Sequence, residues 1–324
     1  MRVVIGVPGV DVLEDYMVKH GVSVLGTFYE KRNLESLLKC KERGLWGMLD
    51  SGAFSWWNRN VKSITNVNEV LKGWYKRKDF ELYKRKYIDW LKEAKDRVDV
   101  YVTLDVIFDP DATWEIWKEM RGEGLDPMTV IHQGTDYKWV EKYMEEGIKY
   151  LGVSLFVPLT EEVIRWTDEI FLRFVKVDGG EPFPRVHMFG VSFPELFKRY
   201  PIYSADSVSW RKCCGYGFVP VPFVKNGEFV FETLYFVKVT KKRKLSRDKK
   251  TFFDYVNMVG EDVVRAIAKE VFGEDMSISD LEERLQDSIE RSKWSVWYYK
   301  KMEEYWSSWR DWEVYKVKSR RYLV

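Results

Sequence analysis

The 324-residue chain carries 53 Lys and Arg residues against 51 Asp and Glu residues, so its net charge of +2 excludes a strongly charged surface overall and restricts nucleic-acid contacts to local patches. Hydrophobic residues make up 45% of the chain, which indicates a globular core, and no run approaches the roughly 18 apolar residues of a membrane span. The three cysteines form no disulfide framework, and no further ligands stand at zinc-like spacing, so we expect no metal and no cofactor.

Apolar strands alternate with amphipathic helices through the first two thirds of the chain. We predict strands at 3–7, 22–28, 46–50, 98–105, 128–132, 150–155, 185–191 and 202–206. We predict helices at 34–43, within 56–95, and at 113–121, 139–146, 160–166 and 193–199, whereas 171–177 fits either element. This alternation is typical of parallel βα units. Counting the seven strands from residue 22 to residue 206 and an eighth at 230–239, we predict an α/β protein with a (β/α)8 TIM barrel.

The pattern changes after Asp206. Asn226-Gly227 predicts a hairpin between two apolar runs, and residues 238–250 form a basic segment that suits either a solvated loop or a phosphate-contacting loop. Residues 251–272 and 278–312 have helical periodicity. We therefore predict a barrel domain over 1–250 and a helical, Trp-rich region over 251–324 packed on it. We interpret its tryptophans as packing residues rather than as a base-stacking platform: Trp294, Trp297, Trp306, Trp309 and Trp312.

Polar groups follow several predicted strands directly, and a barrel brings such strand ends together on one face. These groups are Asp50-Ser51-Gly52, Asp105, His132-Gln133-Gly134, Gly152-Val153-Ser154 and Asp206. Three carboxylates and an amide suit the polar edge of a purine, and two carboxylates beside a glycosidic carbon suit acid/base and nucleophilic roles. Simpler interpretations stay open. Asp50 and Asp105 also suit turns or helix caps, Gln133 a turn, Met188 the core, and His132 and His187 packing or supporting roles.

In chain order, these motifs resemble those of the queuine and archaeosine tRNA-guanine transglycosylase superfamily over roughly residues 3–211. Leu49–Phe54 is similar to the family's TDSGGFQ, and Tyr203–Val208 to DMFDCVMPTR. The weaker similarities are Val4–Val10 to MPVGT, Leu25–Phe28 to GNTYHL, Leu104-Asp105 to FDE, Ile131–Gly134 to VQGG, Leu151–Val153 to GGLAVGE, and His187–Val191 to LMGVG.

The resemblance implies a role for each matching residue. Asp206 would be the nucleophile at the sugar's anomeric carbon, and Asp50 the general acid/base. Phe54 and Met188 would enclose the purine ring. The other implied base-binding residues are Ser51, Asp105, Gln133 and Gly134, with the backbone of Gly152 and Val153.

Three departures from the family pattern favour DNA over tRNA as the partner. Ala53 replaces the second glycine of the turn, the family's zinc ligands are missing, and Ser209-Trp210-Arg211 replaces Pro-Thr-Arg. The chain thus resembles most closely the zinc-less 7-deazaguanine DNA transglycosylases of phages and archaeal viruses. Such an enzyme would exchange guanine in DNA for a small-molecule 7-deazaguanine base. The implied phosphate contacts are Arg211, Lys212, Lys241, Lys242, Arg243 and Lys244.

Other functions remain open at this stage. The same exchange on tRNA, a barrel that binds a nucleobase or nucleic acid without turnover, and a nucleoside hydrolase each fit the motifs. We expect the protein to be cytoplasmic, in the cytoplasm of the host cell if it is viral, and to have no membrane partner. A homodimer is one assembly that we consider. Scarce glutamine beside abundant lysine and glutamate is typical of thermophilic proteins.

Overall fold

The computed structural model describes residues 1–62, 73–156, 158–191, 193–207, 209–240 and 250–316. Its strands are β1 (Arg2–Gly6), β2 (Ser23–Thr27), β3 (Gly47–Asp50), β4 (Val100–Tyr101), β5 (Thr129–His132), β6 (Tyr150–Ser154), β7 (Lys176–Asp178), β8 (Glu181–Phe183), β9 (Arg185–Phe189), β10 (Ser204–Ser207), β11 (Phe218–Lys225) and β12 (Glu228–Lys238).

Helices follow most of these strands. They are α1 (Asp11–His20), α2 (Lys31–Glu42), α3 (Ala53–Trp57), α4 (Lys78–Ala94), α5 (Pro110–Gly122), α6 (Tyr137–Glu145), α7 (Glu161–Phe174), α8 (Pro194–Arg199), α9 (Ser209–Gly215), α10 (Phe252–Val259), α11 (Glu261–Phe272), α12 (Ile278–Arg284) and α13 (Ser288–Ser307). The segment that fitted either element is divided: α7 runs to Phe174, and β7 begins at Lys176.

Eight of the strands form one curled parallel sheet flanked by helices, so the fold class is α/β. The strand order is β4-β3-β2-β1-β10-β9-β6-β5. The first four strands of the chain thus form one half of the sheet, the later four form the other half, and β1 and β10 pair where the halves meet. The end strands β4 and β5 meet at an isolated parallel bridge between Val102 and Met128. There, the Met128 N–H donates to the Tyr101 carbonyl at 2.9 Å, and the Thr103 N–H donates to the Met128 carbonyl at 2.9 Å.

The eighth strand of this sheet is β1, and the prediction that residues 230–239 supply it is wrong. Strand β12 pairs antiparallel with β11 in a separate two-stranded sheet, joined by the predicted Asn226-Gly227 turn. The burial pattern explains the difference. Val3, Val4 and Ile5 are all buried, as a central parallel strand requires, whereas β12 mixes exposed and buried residues.

Inward-facing and outward-facing residues of the sheet belong to two separate apolar clusters. Met48, Val102, Met128 and Val130 form a small cluster, with Leu25 and Phe189 packed against it. The strand residues that alternate with these belong to the main core, which they share with the surrounding helices. The sheet thus has an inner face of its own, and that face leads up to the polar strand ends.

Helix α13 connects the C-terminal region to the sheet and the hairpin. The Glu303 carboxylate accepts a hydrogen bond from the Val3 N–H of β1 at 2.8 Å. The Trp294 and Trp306 indoles donate to the Pro220 carbonyl at 2.9 Å and the Phe231 carbonyl at 3.0 Å. These two residues and Trp297 are buried, whereas Trp309 and Trp312 are partly buried, so the tryptophans pack as predicted.

The two predicted C-terminal helices are each divided in the structure. The predicted helix 251–272 is interrupted at Gly260, whose φ of 92° ends α10, and the predicted helix 278–312 is divided where Asp287 caps α13. Among the described helices, none is long and apolar enough to cross a bilayer.

Candidate functional site

Three carboxylates converge on one cavity at the C-terminal ends of the strands. The cavity has a volume of about 680 Å³ and is lined by Asp50 at the end of β3, Asp105 after β4, and Asp206 in β10. Parallel strands place their last residues at the same edge of a sheet, which is why side chains far apart in the chain meet here. The volume falls in the range of small-molecule sites.

Asp206 is almost completely buried and is held through one of its oxygens. Oδ1 accepts a hydrogen bond from the Gly190 N–H at 2.8 Å and lies 3.2 Å from Nε2 of the buried His187. Nδ1 of His187 lies 2.7 Å from the Ser204 hydroxyl. Two partners on one oxygen fix the orientation of the Asp206 carboxylate.

Asp50 lies in a different environment. Burial and, after it, the charges of Asp105 and Asp206 together raise the pKa of Asp50 to about 7, against a lowering by backbone hydrogen bonds from Gly52 and Ser51. The Gly52 N–H donates to the Asp50 carboxylate at 3.2 Å. A carboxyl group with a pKa near neutrality can both give and take a proton at physiological pH.

Asp105 pairs with a histidine on the neighbouring strand. Its Oδ2 lies 2.9 Å from Nε2 of His132, and both side chains line the cavity. The alternative role as a helix cap is filled by Asp109, whose carboxylate accepts from the Ala112 N–H at 2.9 Å. Both histidines near the cavity therefore support a carboxylate.

Aromatic rings form the walls and rim of the cavity. Phe54 is 55% exposed, and Phe189 lines the cavity from β9. Phe156 also lines the cavity, and its ring lies 5.5 Å from that of Phe108, which is 54% exposed with a φ of 64°. An exposed phenylalanine in the left-handed region is uncommon and carries backbone strain. Flat apolar walls around convergent carboxylates suit a ring with a polar edge.

The predicted place of Met188 in the cavity wall is wrong. Met188 is fully buried in the main core, and Phe189, one residue later, lines the cavity. Alternate residues of a strand face opposite sides of the sheet, so His187 and Phe189 share the inner face, whereas Met188 points towards the helices. If His187 is taken to face the cavity, the alternation of side chains along the strand predicts that Phe189 faces it too.

Three further predicted binding residues support the site rather than line it. Ser51 is fully buried, and its carbonyl accepts a hydrogen bond from Tyr83. Gly152 and Val153 lie within β6, paired with β5 on one side and β9 on the other. A Cβ on Gly152 would approach the Phe189 ring to 2.5 Å, so this glycine makes room for the cavity wall.

Gln133 and Gly134 lie in the turn after β5. The Gln133 side-chain oxygen accepts a hydrogen bond from the Phe156 N–H at 3.0 Å and so holds the segment after β6. Gly134 is exposed with a φ of 81°. Neither residue is among those that line the cavity. The structure therefore gives Gln133 an anchoring contact, and its base contact stays a prediction.

Of the predicted phosphate contacts, Arg211 is placed at the cavity. It is exposed and lines the opening beside the buried Trp210. Lys212 follows in α9. Lys241, Lys242, Arg243 and Lys244 lie outside the described residues.

Gly52 is required by the geometry of the turn that carries Asp50. Its φ is 78°, and an added Cβ would lie 2.5 Å from Cβ of Tyr29 and 2.8 Å from Oγ1 of Thr27. We expect Gly52→Ala to lower the free energy of unfolding by about 2–4 kcal/mol, because strain and overpacking add. Gly147→Ala is the control, since its φ of 71° is similar but its Cβ would meet nothing within 4 Å. Equal losses for the two variants in urea unfolding would contradict the steric argument.

Comparisons with known proteins add no family assignment, because the chain matches no protein-family model and no curated protein. Among the described residues, no group of three or more His, Cys, Asp or Glu side chains is arranged to hold a metal ion.

Proposed function

We propose that this chain is a base-exchange glycosyltransferase that replaces guanine in DNA with a 7-deazaguanine through a covalent glycosyl-aspartate intermediate. The observation that carries the proposal is the contrast between two carboxylates on one cavity. Asp206 is oriented by hydrogen-bond donors, whereas the pKa of Asp50 is raised to about 7. Paired carboxyl groups in opposite environments are typical of a nucleophile and an acid/base partner.

The two half-reactions balance with these groups alone. Asp206 attacks C1′ of the target nucleotide, the bond from C1′ to N9 breaks, and the departing guanine takes the proton of Asp50. The incoming base then gives its N9 proton to Asp50, and its N9 attacks C1′ and displaces the Asp206 carboxylate. Two displacements retain the configuration at C1′, and Asp50 ends protonated as it began.

Base recognition would use the aromatic walls and the remaining carboxylate. The ring would lie between Phe54 and Phe189, which both line the cavity with Asp105. The Asp105–His132 pair, at 2.9 Å, presents a carboxylate to the amide and amine edge of a guanine-like base. This arrangement supports a purine or deazapurine as the exchanged group.

Two features support a polynucleotide as the other substrate, and two others support DNA as its type. Asp206 is only 5% exposed, so a target nucleotide has to leave its stack to reach it, and exposed Arg211 at the opening suits a phosphate. The turn residue Ala53 and the missing zinc ligands favour the DNA branch of the transglycosylase superfamily. We infer that the chain is a divergent member of this superfamily and that its curled sheet closes as a (β/α)8 barrel.

Radiolabelled guanine incorporation is the test of this function. The chain is incubated with labelled guanine and with duplex DNA, single-stranded DNA or tRNA in separate reactions, and label in the polymer is counted. We expect incorporation into DNA, together with a protein–DNA adduct that survives denaturing electrophoresis. Incorporation of label into tRNA alone would show that the substrate is tRNA and not DNA. Release of guanine without uptake would indicate a hydrolase, and binding without either reaction would indicate a non-catalytic barrel.

Phe189 supplies a separate prediction about the base pocket. We expect Phe189→Ala to raise the KM for the free base about tenfold to a hundredfold, because stacking of a base on an aromatic side chain contributes roughly 1–3 kcal/mol. Met188→Leu, a volume-conserving change on the opposite side of the strand, should leave this KM unchanged. The reverse pattern in initial-rate measurements would show that Met188 forms the wall.

A further inference from the structure

A line of hydrogen-bonded side chains runs along the inner face of the sheet to Asp206. The Tyr150 hydroxyl bonds to the Ser204 hydroxyl, which lies 2.7 Å from Nδ1 of His187. Nε2 of His187 lies 3.2 Å from Oδ1 of Asp206. His187 and Ser204 are both 0% exposed, so bulk solvent does not reach these contacts. The line lies on three adjacent strands: β6, β9 and β10.

The direction of each hydrogen bond follows from the acceptor at its end. An ionised carboxylate can only accept, so Nε2 of His187 has to carry a hydrogen. Nδ1 of the neutral ring is then an acceptor and takes the Ser204 hydroxyl hydrogen, which leaves the Ser204 oxygen to accept from Tyr150. Every donor in the line therefore points towards Asp206. The Asp206 carboxylate thus selects one histidine tautomer, and the Ser204 hydroxyl matches it by donating to the second ring nitrogen.

We propose that Tyr150, Ser204 and His187 form a positioning relay that orients Asp206 for nucleophilic attack. His187 and the Gly190 N–H both hold Oδ1, while the described structure assigns no hydrogen bond to Oδ2. Oδ2 is thus the oxygen left to attack C1′. This inference rests on the proposed function, because it assigns a task to groups behind the nucleophile. None of the three residues touches the reacting atoms.

The same strand end joins the relay to the base pocket. The His187 ring packs edge-on against the Phe189 ring, with centroids 4.4 Å apart and planes at 76°. Gly190 follows directly and supplies the second donor to Asp206. Rings in contact on a packed strand limit each other's rotation. The base wall and the carboxylate orientation are therefore set by two residues at the end of β9, His187 and Phe189, and by Gly190 directly after it.

The histidine tautomer can be measured without any activity. The chain has only three histidines, so ¹⁵N-histidine labelling gives few signals, and His20→Gln and His132→Gln assign them. We expect hydrogen on Nε2 of His187 in the wild-type protein and also in Ser204→Ala, because the Asp206 carboxylate accepts from Nε2 in both. A wild-type ring with hydrogen on Nδ1, or on both nitrogens at neutral pH, would overturn the relay.

Kinetics of relay variants provide the second test, with folding checked by thermal unfolding. We expect His187→Leu to lower kcat for guanine exchange about tenfold to a hundredfold, as loss of a supporting partner does in other sites, with little change in KM for the base. His187→Gln keeps a donor that can reach Asp206 and should recover most of the rate. Tyr150→Phe removes only the outermost donor and should cost the least.

The outcomes separate the relay from the function it serves. If wild-type protein exchanges guanine but the leucine and glutamine variants lose the same rate, the positioning role is wrong. If His187→Leu does not fold, the Ser204→Ala rate decides, because this variant removes the hydrogen bond at Nδ1, and an unchanged rate would also refute the role. If wild-type protein exchanges no base in any nucleic acid, the proposed function fails, while the tautomer measurement still tests the hydrogen bonds.

Discussion

Replacing Asp206 with asparagine is expected to abolish the covalent protein–DNA adduct and to lower guanine exchange by about 10⁴-fold or more, the order seen when a covalent nucleophile is removed. Asparagine retains the size of aspartate and can still accept from the Gly190 N–H, so the pocket should keep its shape. The loss should therefore appear in kcat and in the trapped adduct, with binding of the free base retained.

Asp168→Asn is the matched control for Asp206→Asn. Asp168 is also a buried aspartate, at 8% exposure, and it pairs with Arg199 at 2.6 Å on the outer side of the fold, between α7 and α8. We expect this change to reduce stability but to leave adduct formation intact. An adduct that persists in Asp206→Asn and maps to another carboxylate would reassign the nucleophile.

Asp50→Asn is expected to lower exchange by about 10²–10⁴-fold, the usual contribution of a general acid/base. In the wild-type protein, the pKa near 7 determines the pH dependence. Guanine release needs protonated Asp50, so the rate of adduct formation should fall as pH rises above about 7. Capture of the incoming base needs ionised Asp50, so this step should slow as pH falls below about 7. Single-turnover rates of the two half-reactions should have opposite slopes.

The charge of Asp105 provides a control for this pH dependence. Its charge raises the pKa of Asp50, so Asp105→Asn should move the inflection of adduct formation to lower pH. An inflection that stays in place in this variant, or that remains in Asp50→Asn, would show that another group controls the rate.

The same pKa has a consequence for stability. The carboxyl group of Asp50 is protonated in the folded state and ionised in the unfolded state between about pH 4 and pH 7, so its contribution lowers stability as pH rises through this window. Asp50→Asn should raise the free energy of unfolding at pH 8 by about 1–3 kcal/mol, less than the full linkage because the group faces a solvated cavity. Below about pH 4, the two proteins should have equal stability.

The sequence by itself determined where the strands end and which carboxylates follow them. Apolar runs that stop at Asp50, Asp105 and Asp206 predict strand ends because parallel strands bury both faces and expose only their termini. The structure places all three carboxylates on one cavity. The hairpin at Asn226-Gly227 was predictable for a similar local reason, since its turn chemistry is contained in two residues.

Only the tertiary structure decided which face of each strand meets the cavity and which groups support the carboxylates. A shift of one residue reverses the facing of a side chain, which is why Met188 was predicted where Phe189 lies. The Tyr150, Ser204 and His187 contacts join residues up to 54 positions apart, on strands whose adjacency no local pattern specifies. Strand β1 likewise became the eighth strand because it pairs with β10, about 200 residues away, whereas local turn chemistry kept β12 with β11.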